Sequence, residues 1–196
     1  MLPWLMGFLG FALYFLYDID SFTGLWKPLR FGFAAGSGLI AGSTLLQLVR
    51  AFRQAALSQP WDKLLLVAGL AAFAALIYCL FFALPFSDTY TAPEQGRQVC
   101  RSGVYALCRH PGILCFFVMY LFWGLAALPT RLLLQGMVWS LLNLAYAWFQ
   151  DRVTFPKTFS DYPDYRQEVP FLIPTPASIR RAKETWGEPF KKEEIL

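Results

Sequence analysis

The stretch LLLVAGLAAFAALIYCLFFALPF, residues 64–86, runs for 23 positions without one charged side chain. At ~1.5 Å per residue a helix of that length covers roughly 34 Å, enough to cross a hydrocarbon core of ~30 Å. Apolar residues occupy every side of such a helix, so it has no face suited to water. Residues 64–86 are therefore predicted to span a membrane, and the rest of the chain is read outward from them.

Upstream lie two further apolar runs. Residues 1–17 end at Asp18 and reach ~26 Å as a helix, slightly short of the core. They read as a crossing rather than a secretory signal, because no basic residue precedes the run and no small-x-small cleavage site follows before Asp18 and Asp20. Residues 29–49 are broken only by Arg30, Ser37, Ser43, Thr44 and Gln47. They carry Gly32, Gly36, Gly38 and Gly42 in two overlapping Gly-x-x-x-Gly spacings, which let helix backbones approach closely within one chain or between two. Downstream, residues 112–128 and 132–149 form two more runs, separated by Pro129, Thr130 and Arg131. So short a link predicts an antiparallel helical hairpin.

Composition agrees with this reading. Of 196 residues, 57% are hydrophobic, 18% aromatic and 15% charged, and the mean hydropathy is +0.43. Such a chain is neither disordered nor of low complexity, since disorder requires low hydrophobicity and high net charge, and the net charge here is +4. The basic residues are interspersed with acids and flank apolar runs, which argues against nucleic acid as a partner. The four cysteines, Cys79, Cys100, Cys108 and Cys115, contain no Cys-x-x-Cys, and with a single histidine they offer no metal-ligand spacing; buried or membrane-facing thiols are expected and no metal. The predicted fold is all-α: a polytopic transmembrane helical bundle of about five crossings within residues 1–149, with a helical and extended tail from 150 to 196.

Five crossings place the two ends of the chain on opposite sides of the bilayer. With the tail inside, Lys27, Arg30, Arg97, Arg101, Arg109 and eight basic residues of the tail face the cytoplasm, against Arg50, Arg53, Lys63 and Arg131 outside. Thirteen against four favours a cytoplasmic C-terminus, although the tail supplies most of the excess. The loop before residue 112 and the tail after residue 149 then share one side.

The scarce polar chemistry collects in those two segments. The loop contains Gly103, Tyr105, Arg109, His110 and Pro111, with the only histidine of the chain. Arg109 is a fixed, planar cation suited to a carboxylate or phosphate, and is equally suited to anchor a helix end at the inner boundary. His110 can donate and accept, or simply cap the helix that Pro111 starts. The tail carries Asp151, then Tyr162 and Tyr165 three apart on one helical face, then Val169-Pro170 and Ile173-Pro174, where the prolines stop the helix and impose an extended, lid-like segment. By itself this tail also reads as an interfacial amphipathic segment.

The ordered set Gly103-x-Tyr105-x-x-x-Arg109-His110-Pro111, two apolar helices, an acidic position, and Tyr162-x-x-Tyr165-x-x-x-Val169-Pro170-x-x-Ile173-Pro174 resembles the membrane methyltransferase superfamily that includes isoprenylcysteine carboxyl methyltransferase and the phospholipid N-methyltransferases. The resemblance covers about residues 97–175. It implies an S-adenosylmethionine site built from loop and tail at the cytosolic membrane face, and a lipid, isoprenoid or other hydrophobic acceptor entering from the bilayer. Gly103, Tyr105, Arg109, His110 and Pro111 would form one wall of that site and Tyr162, Tyr165, Val169 and Pro170 the other, with Arg109, His110 and Asp151 as the candidate catalytic groups. This chain has Gln150-Asp151 where the family usually carries two glutamates. Ile113 and Cys115 stand where an aromatic residue and a glycine are common. The alternatives are a membrane reductase of sterol-reductase type using NADPH, and a non-enzymatic membrane scaffold that retains a degenerate motif.

Overall fold

The structure is a computed structural model, which describes residues 1–24, 26–55, 57, 59–83 and 98–187. The described residues are mostly helical, with no strand among them. The elements are α1 (Leu2–Thr23), a 3-10 turn (Lys27–Phe31), α2 (Gly32–Gln54), α3 (Pro60–Ile77) continued by a π-helical turn (Tyr78–Phe82), α4 (Val104–Leu107), α5 (Pro111–Ala126), α6 (Leu132–Phe149) continued by a second π-helical turn (Gln150–Thr154), α7 (Phe155–Thr158), α8 (Tyr162–Glu168) and α9 (Pro176–Glu184).

Among the described residues, four helical spans are long and apolar enough to cross a membrane: Leu2–Thr23, Lys27–Gln54, Pro60–Phe82 and Leu132–Thr158. The run expected at residues 112–128 forms a shorter apolar helix, α5, of 16 residues. The first span is longer than its apolar run. Asp18 does not end it but sits buried, hydrogen-bonded with Tyr146, and α1 continues to a left-handed cap at Gly24. The part of the third run that covers residues 84–86 and the loop at 87–97 lie outside the described residues, as does the tail beyond 187.

The chain divides into two compact units. The first comprises Met1–Phe73 and Phe116–Gln150. Its apolar excess faces outward: Leu5, Phe8, Leu9 and Leu16 on α1, Leu64, Val67 and Leu70 on α3, and Leu134, Met137, Leu141 and Trp148 on α6 are all exposed. Their spacing of three, four and seven residues gives each helix a lipid-facing stripe. The inward faces are small, aromatic or polar. A Cβ at Gly36 would lie 2.7 Å from the Gly10 carbonyl oxygen, and one at Gly10 would lie 2.9 Å from that of Gly36, so α1 and α2 touch backbone to backbone. Gly32 meets Tyr17 and the Leu13 carbonyl in the same seam, whereas Gly38 faces open space. The glycine stripe is thus used within the chain. Trp139 of α6 lies directly over Gly7, edge-on to Phe8 and tilted against Trp4.

Polar groups lock these faces in place of water. Ser43 Oγ donates to the Pro3 carbonyl at 2.6 Å, Gln135 Nε2 donates to Ser43 Oγ at 3.0 Å, Tyr14 pairs with Ser37 at 2.9 Å, and the Thr44 and Tyr120 hydroxyls are paired. Within a bilayer such bonds have no aqueous competitor, although measured values average below ~1 kcal/mol. The expected hairpin is present: α5 and α6 are joined through Pro129–Arg131, and Gly124 lets the Leu133 backbone pass at 2.7 Å from where its Cβ would stand.

The second unit comprises Ala74–Cys115 and Asp151–Leu196 and contains every residue of the loop and tail motifs. Pro111 opens α5 as expected. Beyond α8, Val169 is extended (φ −114°, ψ 129°) and the chain stays non-helical up to Thr175, whose side chain caps α9 in a reciprocal box with Ser178. The extended segment is a connection rather than a strand.

Candidate functional site

Arg109 organises the second unit. Its Nε donates to Asp151 Oδ1 at 2.7 Å and its Nη2 to Asp151 Oδ2 at 3.2 Å, a two-pronged pair. Its Nη1 donates to the Arg166 carbonyl at 2.9 Å and the Val169 carbonyl at 2.5 Å. These bonds use four of the five guanidinium N–H groups. The Arg109 backbone N–H donates to the Pro170 carbonyl at 2.9 Å, so one residue fastens the loop to the end of α8 and the extended segment after it. Sequence alone supplied the charge of Arg109 but not these partners, because three of the acceptors are main-chain carbonyls and carry no side-chain signature.

Asp151 is placed by the π-helical turn Gln150–Thr154 and is buried at 2% exposure. Besides Arg109 it accepts from Tyr162 Oη at 2.6 Å, and Arg166 Nε stands 3.7 Å away. The shared Asp151 and the carbonyls above account for the two sides of the predicted motif meeting. Tyr162 and Tyr165 are both buried, their rings 5.9 Å apart on one face of α8, as their spacing predicted. Tyr165 Oη donates to the Tyr105 carbonyl at 2.7 Å. Burial, and for Tyr162 also its bond to the Asp151 carboxylate, raises both phenols above the usual tyrosine range, so each remains a donor at neutral pH.

His110 lies between Phe155, stacked at 5.8 Å, and Phe171, edge-on at 5.0 Å. Its Nε2 is buried and has no hydrogen-bond partner among the described residues; Asp151 Oδ1, at 3.7 Å, is too far for one. Burial lowers the imidazole pKa below its ordinary value near 6.5; the Asp151 carboxylate pulls it upward and Arg109 pushes it down, and burial prevails. The neutral ring is therefore the folded form at pH 7.

This shift makes a pH prediction. The unfolded chain takes up a proton near pH 6.5 and the folded chain does not, so stability is full above 6.5 and falls as pH drops from 6.5 toward the folded pKa, then levels off. The slope is at most ~1.4 kcal/mol per pH unit. His110 is the only histidine, and comparison with a variant at this position isolates its part in thermal unfolding from pH 7.5 to 5. The decline is expected in the native chain and should be absent in His110→Gln.

Gly103 has φ +57° and ψ −128°, a conformation closed to other residues at low cost, and its N–H donates to Thr185 Oγ1 at 3.0 Å just past α9. Arg101 binds Asp161 at 3.1 Å, with Glu168 at 3.7 Å, and adds a second, half-exposed link between loop and tail that sequence reading did not single out.

The loop also borders an open apolar pocket of about 510 Å³. Val104, Leu107, Cys108 and Pro111 line it from the loop, Tyr78 and Cys79 from the first π-helical turn, Leu114 and Cys115 from α5, and Trp186 from beyond α9. The Tyr78 and Trp186 rings lie nearly parallel, 6.4 Å apart. Tyr105 Oη donates to the Cys79 carbonyl at 2.9 Å, fixing that turn to α4. All four cysteines are free: Cys79, Cys100 and Cys108 are buried and Cys115 half-buried. Burial pushes the Cys108 thiol up to about 11, which keeps it protonated at neutral pH. Of the residues expected to form the site, Pro111 alone lines this pocket; Arg109, His110, Asp151, Tyr162, Val169 and Pro170 belong to the cluster around the Arg109–Asp151 pair, while Gly103, Tyr105 and Tyr165 brace α4 and α8. Sequence reading did not select Tyr78 or Trp186, which are far apart in the chain and carry no shared pattern. Comparison of the chain with protein-family models, with curated proteins and with solved structures gives no match.

Proposed function

We propose that this chain is an integral-membrane, S-adenosylmethionine-dependent methyltransferase with a lipid, isoprenoid or other hydrophobic acceptor, its site lying at the cytosolic membrane face. One observation carries the reading: both halves of the methyltransferase-like motif interlock through Arg109 and Asp151, and the loop so held forms one wall of an apolar pocket of about 510 Å³. That volume lies within the ~300–1,000 Å³ range of small-molecule sites.

The residues present suit the cofactor. The Tyr78 and Trp186 rings, which line the pocket, offer π faces to an adenine or a sulfonium. S-Adenosylmethionine supplies an activated methyl group on a positively charged sulfur. The protein's part is mainly to orient and to exclude water. Arg109 acts as a positioning residue, since its donors are consumed in holding the loop against the tail. Asp151 fixes Arg109 and the Tyr162 hydroxyl, and the neutral His110 can hold a proton at Nε2. The carbon and sulfur walls contributed by Leu107, Leu114 and Cys115 select an apolar acceptor.

A second reading, a membrane scaffold that keeps the motif as a structural clasp, is favoured by the fact that Arg109 and Asp151 satisfy each other. Binding of S-adenosylmethionine and S-adenosylhomocysteine to the detergent-purified chain, followed by calorimetry with NADPH as competitor, separates the possibilities. Saturable binding is expected, weakened about tenfold or more by Trp186→Ala, which removes a stacking face worth ~1–3 kcal/mol. Absence of binding by the native chain would leave the scaffold, and displacement by NADPH would leave a reductase.

A further inference from the structure

A second pocket, of about 410 Å³, lies within the first unit and is polar where the other is apolar. Gln47, Arg50 and Gln54 line it from the last turns of α2, Thr130 and Arg131 from the hairpin, and Leu132 from the start of α6. No residue of the loop and tail motifs contributes to it.

Three features point to an anion. Arg50 and Arg131 both border the pocket, no aspartate or glutamate lines it, and neither arginine has a carboxylate partner among the described residues. Gln47 is 8% exposed and lines the pocket with a side-chain amide that makes no hydrogen bond among the described residues, which leaves its N–H groups available to an anion. The 18-residue helix α6 begins at the pocket with Arg131 as its N-cap and no side-chain cap, so the positive end of its dipole adds to the two guanidinium charges.

The surroundings identify the source of that anion. Leu45, Leu46 and Val49 on α2, Leu128 in the hairpin and Leu134 on α6 are exposed close in sequence to the pocket residues, in spans that are apolar enough to stand in a bilayer. A free phosphate would gain nothing from them, whereas acyl chains would lie along them while their headgroup reached the arginines. We propose that this pocket binds the phosphate headgroup of an anionic membrane phospholipid, with Arg50 and Arg131 as its cationic partners and Gln47 as a hydrogen-bond donor.

The test uses the full chain in mild detergent, titrated with phosphatidylglycerol, phosphatidylcholine or inorganic phosphate and read by native mass spectrometry and thermal unfolding. Phosphatidylglycerol is expected to bind at least tenfold more tightly than phosphatidylcholine, with about fivefold contributed by each arginine. The double variant Arg50→Gln/Arg131→Gln should lose that preference. Both side chains are exposed, so its lipid-free melting temperature should match that of the native chain. Gln47→Leu should weaken phosphatidylglycerol by the loss of one hydrogen bond to its phosphate. Equal binding of the two lipids, or a preference that survives in the double variant, would overturn the site. Inorganic phosphate that stabilises the protein as well as phosphatidylglycerol does would overturn the lipid as its occupant.

Discussion

Arg109→Ala is expected to destabilise the second unit by about 3–5 kcal/mol, the cost of leaving a buried carboxylate without its cation. Asp151 is 2% exposed and, once Arg109 is gone, keeps the Tyr162 hydroxyl at 2.6 Å, with Arg166 Nε and the His110 imidazole, neutral in the native fold, each at 3.7 Å. The truncation also frees the Arg166 and Val169 carbonyls, which accept from the same guanidinium. Arg109→Lys should recover only part of the loss, because an ammonium cannot reproduce the fork. The measurement is amide hydrogen exchange over residues 98–115 and 151–187 in detergent, where protection should fall in the variant. A double-mutant cycle with Asp151→Leu then decides whether the pair acts as a unit. The double variant should be less destabilised than the sum of the single changes, since it removes the charge that Arg109→Ala strands. Additive losses would mean that the ion pair is not what holds loop to tail.

The second large effect is expected at Gly36. A Cβ there stands 2.7 Å from the Gly10 carbonyl and 2.9 Å from the Tyr14 ring, and the carbonyl is main chain that cannot swing away. Gly36→Val should force α1 and α2 apart and cost about 1–3 kcal/mol or more, also loosening the Tyr14–Ser37 hydrogen bond next to it. Gly38, two residues along the same helix, has nothing within 4 Å of its would-be Cβ. Gly38→Ala should therefore be neutral, or stabilising by up to ~1 kcal/mol through helix propensity. Thermal unfolding of the two variants side by side tests the assignment. Equal sensitivity at both positions would show that the glycines serve some contact other than the α1–α2 seam.

These two sites also mark what can be read from a sequence and what cannot. The long helices were legible because lipid imposes a length and an apolarity on anything that crosses it, and the span Pro60–Phe82 meets both. Pro111 at a helix start, the tight link at Pro129–Arg131, and the shared face of Tyr162 and Tyr165 were legible from local chemistry. Helix ends were less so: Asp18 reads as a stop but is absorbed by Tyr146, which lies far along the chain and is invisible to a local pattern. The glycine spacing signalled close packing without a partner, and only the fold selects Gly10 over a second chain. In the candidate site, residue types pointed to two segments that the fold brings together, but not to what each side chain does there. The fork of Arg109 suits an external carboxylate or phosphate just as well as it suits Asp151, and its remaining acceptors are carbonyls. The aromatic walls at Tyr78 and Trp186 are joined only by tertiary folding, so no periodicity announces them.

The clasp at Arg109 also sets an order of events. A chain made from its N-terminus exposes Arg109 well before Asp151, Arg166, Val169 and Pro170 exist, and two apolar helices must emerge in between. Closure across such a separation pays loop entropy before it gains any contact, so it comes late. Most of the first unit can therefore pass through the insertion machinery while the loop at 98–111 still waits for its counterpart. In the newborn protein, residence in the membrane precedes assembly of the candidate site, and a ribosome stalled before residue 151 would leave an inserted body with Arg109 and His110 uncommitted.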